Sequence, residues 1–576
     1  MTMEDTSNST GSRAISRRAF VSGAALTSVA AGAAIVAAGC SPKTEEESSG
    51  TASPGATTGG TKYTKYPNPD EIGVIHDTSK EETFDVVVIG TGVTGLNCSM
   101  LVAEQAPDAK VLLIDKMGGP GGNTNFAEIN TPGALITWQE ALAAAMERSD
   151  SQMDMTDPYL YAHYRFEKNH ASAWYFDKHG VERAEDNFFY KGHTGALAVE
   201  NLVGQIESDA AYANLELRLS TQAIALLTSD EHTVTGVQIK DVNAGEYTNV
   251  KAKAVMIATG GMGTNTELLS FYTGQDVRQK CTEYGQGQDG DGHLLVEDTA
   301  HGMAKDVDPT PMWVVVKDMS LESPLSCCFA MQKSGLFVNQ TGTRFHDESY
   351  PGATFASVDH SFMQQGKVFS IVGSGLIDRF QAQGSDAGNF YFYQVPTDLT
   401  EELKMAADNP NIYTADTLEE LAGLIDVPVD AFIEGINTYD ADAKAGTGDS
   451  VLGKEAQYMV PIGDGPYYGC DLSPILMQTN NGIRINIDCQ VVDPYYVPIK
   501  GLYAGGICVS GIDTCMYGGG TSQGLGLWSG CKAALGIVTN ELGGTVADDW
   551  YGPSEFTGPW PDVENMELTK PLPGTV

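Results

Sequence analysis

Gly90, Gly92 and Gly95 stand in Gly-x-Gly-x-x-Gly spacing directly after an unbroken apolar run, Val86–Ile89. That spacing suits pyrophosphate binding. The first glycine permits a tight turn, the second lets backbone approach the phosphates, and the third lets a helix pack on the strand, its N-terminal N–H groups free. A second apolar run, Val111–Ile114, ends in Asp115, placed to accept a ribose hydroxyl. Two strands and an acidic terminus around the glycines make a dinucleotide site the reading here, against a bare glycine turn. Residues 118–124 then form a glycine-dense loop, Gly118-Gly119-Pro120-Gly121-Gly122-Asn123-Thr124. Backbone so bare usually lies against a flat ring or a phosphate.

These groups need elements to position them. Runs uninterrupted by polar residues fit strands of a parallel sheet covered on both faces. Residues 255–261 (Val-Met-Ile-Ala-Thr-Gly-Gly) repeat the strand-to-glycine crossing, and 501–506 (Gly-Leu-Tyr-Ala-Gly-Gly) return to it. Crossings so far apart in sequence imply one nucleotide held by several strand ends of a single sheet. Gly290-Asp291-Gly292 opens a further helix, and another is expected from about Leu525 to Thr539. Residues 159–178 read as a helix whose aromatic stripe is core, and 215–253 as short alternating strands. From Asp308 to Pro474 the chain turns richer in aromatics, prolines and loops, marking an inserted second domain. The expected fold is α/β. Its divisions are a leader at 1–40, a flexible linker at 41–83 and a nucleotide domain in two parts, 84–303 and 479–548. An inserted domain spans 304–478 and an irregular tail 549–576.

A chain of 576 residues exceeds one core, consistent with two domains. Its 34 basic against 75 acidic residues give −41, which excludes nucleic acid and anionic lipid as natural partners. Ten cysteines show no Cys-x-x-Cys pairing and no haem-attachment signature, and are expected as buried free thiols. Near the start, Ser16-Arg17-Arg18-Ala19-Phe20 precedes a weakly apolar, alanine-rich run over 21–38. It resembles a twin-arginine export signal, a route for proteins already folded around a cofactor. A membrane anchor is the alternative, disfavoured by the many Gly, Ser and Thr residues. Ala38-Gly39-Cys40 resembles a loose lipobox, which would leave the chain lipid-anchored at Cys40; ordinary cleavage after a small residue is the other option. The expected location is extracytoplasmic.

With these motifs together, the chain resembles the fumarate reductase and succinate dehydrogenase flavoproteins over roughly 84–544. The resemblance implies a Rossmann-like FAD-binding domain with an inserted α+β capping domain that closes over the flavin. It also implies one non-covalent FAD, held by Gly90, Gly92, Val93, Thr94, Gly95, Asp115, Lys116, Gly121, Gly122, Asn123, Thr124, Ala258, Thr259, Gly260, Asp291, Gly506, Ser522 and Gln523. The helix starting near Ser522 would aim its N-terminus at the flavin pyrimidine. The substrate anchors depart from the family pattern. Aligned on the glycines, Asp308, the pair Met477 and Gln478, and Tyr517 stand where fumarate reductases carry two histidines and an arginine for a dicarboxylate. A carboxylate left unpaired in a closed cleft is costly, by several kcal/mol, so fumarate is not the expected substrate.

Tyr517-Gly518-Gly519-Gly520 is instead similar to the Tyr-x-Gly stretch of ketosteroid dehydrogenases, where a tyrosine hydroxyl and a backbone N–H hold a carbonyl oxygen. Residues 335–350 match the family's cap hairpin, with Glu348 on its proton-delivery glutamate and Tyr350 near a catalytic tyrosine. Arg379 is the nearest counterpart of the proton-donating arginine, shifted by about two positions. Packing roles for Tyr517, Tyr350 and Arg379 stay open. Three functions follow. The first is a reductase of a carbon–carbon double bond conjugated to a carbonyl, with an enone-type acceptor. The second is the same chemistry run as a dehydrogenase. The third is an exported flavin-bearing binding or relay protein without turnover. No haem or iron–sulfur ligand set is visible, so an external electron donor is expected, such as a membrane-bound multihaem cytochrome.

Overall fold

The structure, a computed structural model, describes residues 68, 70–130, 136–151, 157–184, 190–230, 232–278, 281–349, 360–386, 393, 395–512 and 520–552. Tyr350, Tyr517, the leader with Cys40, and the tail beyond 552 lie outside the described residues.

The strands Val86–Ile89, Val111–Ile114 and Ala254–Ile257 are buried along their whole length, which is why they read as unbroken apolar runs. They lie parallel in the order Leu215–Arg218, Val111–Ile114, Val86–Ile89, Ala254–Ile257, Pro498–Ala504. Register does the positioning. Ile89 pairs with both Ile114 and Ile257, and Ile257 with Ala504. Four strand ends from distant parts of the chain therefore stop at one edge, and Gly90, Asp115, Ala258 and Gly505 follow directly on them. The strands Thr221–Asp230, Thr233–Asp241 and Tyr247–Lys251 extend the sheet by antiparallel pairing.

Two helices bring their N-termini to that edge. Helix Val93–Gln105 follows the glycine turn, and helix Thr521–Gly536 packs along it. The approach is close because glycines face it: a Cβ on Gly530 would lie 2.5 Å from the Thr94 carbonyl oxygen. On the sheet side, a Cβ on Gly95 would stand 1.8 Å from the Gly90 carbonyl oxygen. No other residue type fits there. The aromatic segment forms helix Pro158–Ser172, capped by Asp157, and continues as a π-helix over Ala173–Lys178.

One expectation needs correction. Residues 70–83 were assigned to the flexible linker, yet they are part of the fold. Ile72 is buried in the main core, Gly73 N donates to the Ile224 carbonyl, and Glu81–Thr83 pairs parallel to Tyr247–Lys251. The segment reads as linker because it supplies an edge strand whose side chains stay mostly in solvent.

Beyond the sheet edge lies an α+β unit. Its sheet is built on the long strand Tyr467–Ile483, which pairs antiparallel with Ala304–Val316, Val368–Val372 and Ile412–Ala415 and parallel with the two-residue strand Thr282–Glu283. Strand Phe337–Asn339 pairs with Val368–Val372 at one side. Helices Pro324–Ala330, Ser374–Gln383, Leu418–Leu424 and Val429–Ala445 cover it, around two further apolar clusters. Ala304–Val316 and Tyr467–Ile483 run together from the first core into this unit, with Ala304 opposite Ile483 and Val316 opposite Leu472. Among the described residues the cysteines are all free and buried, and no helix is long and apolar enough to cross a membrane.

Candidate active site

A cavity of about 350 Å³ opens where the four strand ends, the two helix N-termini and the antiparallel unit meet. Of the residues expected to hold a cofactor, Gly90, Gly92, Val93, Thr94, Asp115, Lys116, Gly121, Gly122, Asn123, Thr124, Ala258, Thr259, Gly260, Asp291, Gly506, Ser522 and Gln523 all line it. Gly95 does not; its place is the helix–strand contact described above.

The nucleotide end is built from backbone. Gly90 has φ +107°, and a Cβ there would press to 2.3 Å from the Ala258 carbonyl oxygen. Gly121 has φ +106° and donates its N–H to Thr91 Oγ1 at 2.9 Å. Thr124 Oγ1 accepts from Val93 N at 3.0 Å, fixing the loop to the first turn of helix Val93–Gln105. Asp115 accepts from Thr91 N (2.9 Å), Thr91 Oγ1 (2.6 Å) and Met117 N (2.9 Å). A carboxylate offers about four lone-pair sites, so capacity for one more hydroxyl remains. Lys116 Nζ bridges Asp289 (2.5 Å) and Asp291 (3.0 Å), and Asp291 also accepts from Gln222 Nε2 at 3.1 Å. Burial alone would lower the lysine, but the charges of Asp291 and Asp289 outweigh it and hold its pKa above the ordinary range. Asn123 acts as a bracket: its Nδ2 donates to the Met477 carbonyl at 2.6 Å, and its Oδ1 accepts from Gln286 N at 2.8 Å.

This end fits FAD. Neither helix N-terminus on the cavity is capped by its N-cap side chain, so both present the positive end of a helix dipole to anionic oxygens. Thr259 Oγ1 and Gln288 Oε1 are buried, line the cavity and have no hydrogen-bond partner, as expected where a ligand completes the site.

The other end is walled by Ile129, Trp313, Leu321 and Met477, with Glu128, Tyr284, Glu322, Gln478 and Gln523 as its polar groups. No arginine or histidine is among the described lining residues, and Lys116 is the one basic side chain. Of the three departures from the family's substrate anchors, Met477 and Gln478 line the cavity. Asp308 does not: it lies buried on strand Ala304–Val316 opposite Asn480. The acidity expected from Asp308 comes from Glu128 and Glu322. Sequence reasoning passed over Glu128, although a lone acid in Phe126-Ala127-Glu128-Ile129, directly after the glycine loop, was a signal. Tyr284 and Trp313 gave none, since they reach the cavity only through strand register.

Of the four catalytic candidates, Tyr517 and Tyr350 lie outside the described residues. Glu348 sits inside the antiparallel unit, off the cavity. It accepts from Phe337 N at 2.7 Å and pairs with Lys454 Nζ at 3.0 Å, both side chains fully buried. Lys454 Nζ also donates to the Gly335 carbonyl at 2.5 Å, tying the hairpin to the segment after helix Val429–Ala445. Arg379, on helix Ser374–Gln383, pairs with Asp386 at 3.0 Å and is likewise off the cavity. Asp386 in turn accepts from the backbone N–H groups of Lys333 and Ser334. As placed, Glu348 and Arg379 are paired within this unit and do not line the cavity.

Comparison with known proteins agrees with this geometry. The chain is 27% identical over 487 residues to vinyl phenol reductase of Lactiplantibacillus plantarum, covering 78% of this chain and 96% of that protein. It is 24% identical over 464 residues to the fumarate reductase (cytochrome) of Shewanella frigidimarina, covering 76% and 73%. In fold it is similar to the 3-ketosteroid-Δ4-(5α)-dehydrogenase of Rhodococcus jostii, with TM-score 0.57 at 20% identity, covering 83% of this chain and 98% of that one. The model of the FAD binding domain matches residues 85–522, well over half the chain. The chain belongs to this FAD binding domain family of oxidoreductases, whose reductases and dehydrogenases act on CH–CH groups.

Proposed function

We propose that this protein is an exported reductase of a carbon–carbon double bond conjugated to a carbonyl, working with one non-covalently held FAD. The observation that carries the substrate side is the composition of the cleft. Its substrate end has apolar and aromatic walls and two carboxylates, and the one cation among the described lining residues, Lys116, is already shared by Asp289 and Asp291. A dicarboxylate entering there would meet Glu128 and Glu322 without a counter-charge, at a desolvation cost of several kcal/mol. A planar neutral enone meets no such cost.

When bound, FAD supplies a hydride from its reduced N5; binding, orientation and the proton are the task of the chain. Tyr517, with a neighbouring backbone N–H, holds the carbonyl oxygen and stabilises the charge that grows there, worth roughly 10²–10³ in rate. Tyr350 gives the proton to the α carbon, a contribution of roughly 10²–10⁴. Hydride at the β carbon and proton at the α carbon complete a two-electron reduction. Glu348 and Arg379, sequestered by Lys454 and Asp386, serve the cap's structure instead.

Export rests on Arg17 and Arg18, with Cys40 as a lipidation point, and an exported enzyme draws its electrons from an external donor. The fumarate reductase (cytochrome) relative supports a cytochrome in that part. The test is turnover: reduced viologen dye with holoprotein and a panel of enones, their saturated partners and fumarate. We expect dye oxidation with an enone and none with fumarate. Faster flavin reduction by the saturated partners would favour the dehydrogenase direction, and no turnover at all would leave a relay protein.

A further inference from the structure

Two polar side chains at the substrate end, Glu128 and Tyr284, meet no hydrogen-bond partner among the described residues. Glu128 follows the 3-10 turn Gly122–Phe126, and its backbone is pinned on both sides. Its carbonyl accepts from Tyr190 N at 2.9 Å, and that of Ala127 accepts from Gly195 N at 2.7 Å. The fold therefore sets where this side chain leaves the backbone. It lines the cavity, and burial alone acts on it, with no described cation or donor in play, raising it to about 7. A half-buried carboxyl placed so, with no partner among the described residues, is left for water or a ligand to satisfy.

Tyr284 faces the same space. Its N–H is anchored on the Leu476 carbonyl at 3.1 Å, and its ring stands edge-on to Phe126 at 6.0 Å and 61°. Burial, then the charges of Glu322 and Glu128, hold its hydroxyl above the ordinary tyrosine range. The hydroxyl thus stays neutral, able to donate or accept, within electrostatic reach of both acids. Trp313 and Ile129 supply flat apolar wall beside them, each more than nine-tenths buried.

We infer that Glu128 and Tyr284 form a two-point clamp for a hydroxyl, and that the substrate class is a planar enone bearing a phenolic hydroxyl. This clamp rests on the cleft being the substrate site proposed above. The chemistry discriminates among ligands as follows. A carboxylate is repelled by Glu322 and, where it is ionised, by Glu128. A methyl ether or plain ring leaves Glu128 without a donor. A hydroxyl donates to Glu128 and accepts from Tyr284, satisfying both at once. An ammonium could donate to both, but would surrender its hydration against Ile129, Trp313, Leu321 and Met477.

Calorimetric titration of oxidised holoprotein tests this without turnover. The ligands are para-hydroxybenzylideneacetone, its para-methoxy, para-carboxy and para-aminomethyl analogues, and the unsubstituted parent. The hydroxyl compound should bind about ten- to hundredfold tighter than the methoxy compound and the parent, the worth of one charge-assisted hydrogen bond. Glu128→Ala and Tyr284→Phe, with flavin content checked by absorbance, should each shrink that ratio to within about threefold. Glu128→Gln should admit the carboxy analogue about tenfold better than wild type does. The clamp is refuted if the wild type prefers the methoxy, carboxy or aminomethyl compound, or if the preference survives Glu128→Ala. The wild-type series decides alone should a variant lose its flavin. Hydroxyl-selective binding without reduction would sink the proposed function and leave the clamp standing. Enone reduction without hydroxyl selectivity would do the reverse.

Discussion

At the nucleotide end of the cleft every acidic side chain already has partners: Asp115 accepts three hydrogen bonds, and Asp289 and Asp291 share Lys116. At the other end, Glu128 has none among the described residues and Tyr284 keeps a free neutral hydroxyl. At the first end the protein itself satisfies the acids, and Thr259 Oγ1 and Gln288 Oε1 wait for the ligand; at the second an acid itself is left for a ligand to finish. That contrast separates a site that binds one invariant group from one that selects among acceptors. It also says where substitutions should hurt. Backbone positions at the first end should tolerate no change, whereas side chains at the second should alter preference while the fold survives.

The largest effect is expected at Gly95. Gly95→Ala would drive a methyl group to 1.8 Å from the Gly90 carbonyl oxygen and force strand and helix apart. We expect a loss of more than about 3 kcal/mol in stability and protein purified without flavin. Wild-type absorbance at the flavin bands in this variant would break the claim that backbone approach alone builds this end.

Next comes a carboxylate away from both ends. Glu348 is paired with Lys454 where neither side chain meets solvent, so Lys454→Met strands a buried charge and should cost about 3–5 kcal/mol. Changing both, Glu348→Gln with Lys454→Met, should recover most of it, read from denaturant midpoints with flavin still bound. A rate loss without a stability loss in Glu348→Gln would instead return this residue to the reaction.

The nucleotide end was legible in the sequence because its demands fall on local pattern. Gly90, Gly92 and Gly95 announce a bare turn, and Val86–Ile89 announces a strand covered on both faces. Tyr284 and Trp313 could not be read that way. They reach the cleft because strand Thr282–Glu283 pairs with Ile475–Leu476 and Ala304–Val316 pairs with Tyr467–Ile483, a register carried by no local motif. Asp308 failed for the same reason. The alignment located its strand, but the side chain's position depends on register shifts between Lys305 and Trp313. Glu348 was found by motif, yet its partner Lys454 lies more than a hundred residues on, and only that partner shows what the glutamate does. The linker boundary erred because one buried Ile72 was hidden in polar sequence.

The contrast can also be drawn by pH, using Glu128 against Glu104, a half-buried acid in the last turn of helix Val93–Gln105 and away from both ends. Burial raises both. For Glu104, the hydrogen bond and charge of His179, then Lys178 and Tyr212, reverse this and bring it to about 2, whereas Glu128 stays raised at about 7. Their signs differ. Glu104 contributes stability that is present above about 4.5 and lost as pH falls toward about 2. For Glu128 the native state holds its proton more tightly than the unfolded chain. Stability therefore falls as pH rises from about 4.5 to about 7 and levels off above that. The expected drop is about 2–3 kcal/mol. Glu128→Gln should erase that slope, leaving the variant the more stable protein at pH 8 and no better than wild type at pH 4. Parallel wild-type and variant curves across that window would mean that Glu128 has a partner after all.

The smallest effect should come from Gly119, and it tests how far the contrast extends into the glycine loop. The loop over 118–122 looks uniform in sequence, but its glycines are not equivalent. Gly121 has φ +106° and a Cβ there would strike Asn125 Oδ1 at 2.3 Å; a Cβ on Gly119 would have nothing within 4 Å, and its φ is one any residue adopts. Gly119 also stands off the cavity that Gly121 and Gly122 line. An alanine at 119 should therefore leave flavin affinity unchanged within about twofold, and the restricted unfolded chain should add up to about 1 kcal/mol of stability. Gly121→Ala, two residues further on, should instead weaken flavin binding at least about tenfold, because left-handed backbone and a blocked Cβ oppose it together. If Gly119→Ala weakens flavin as much as Gly121→Ala does, the whole loop closes on the ligand, and the nucleotide end is less complete without its cofactor than its paired acids imply.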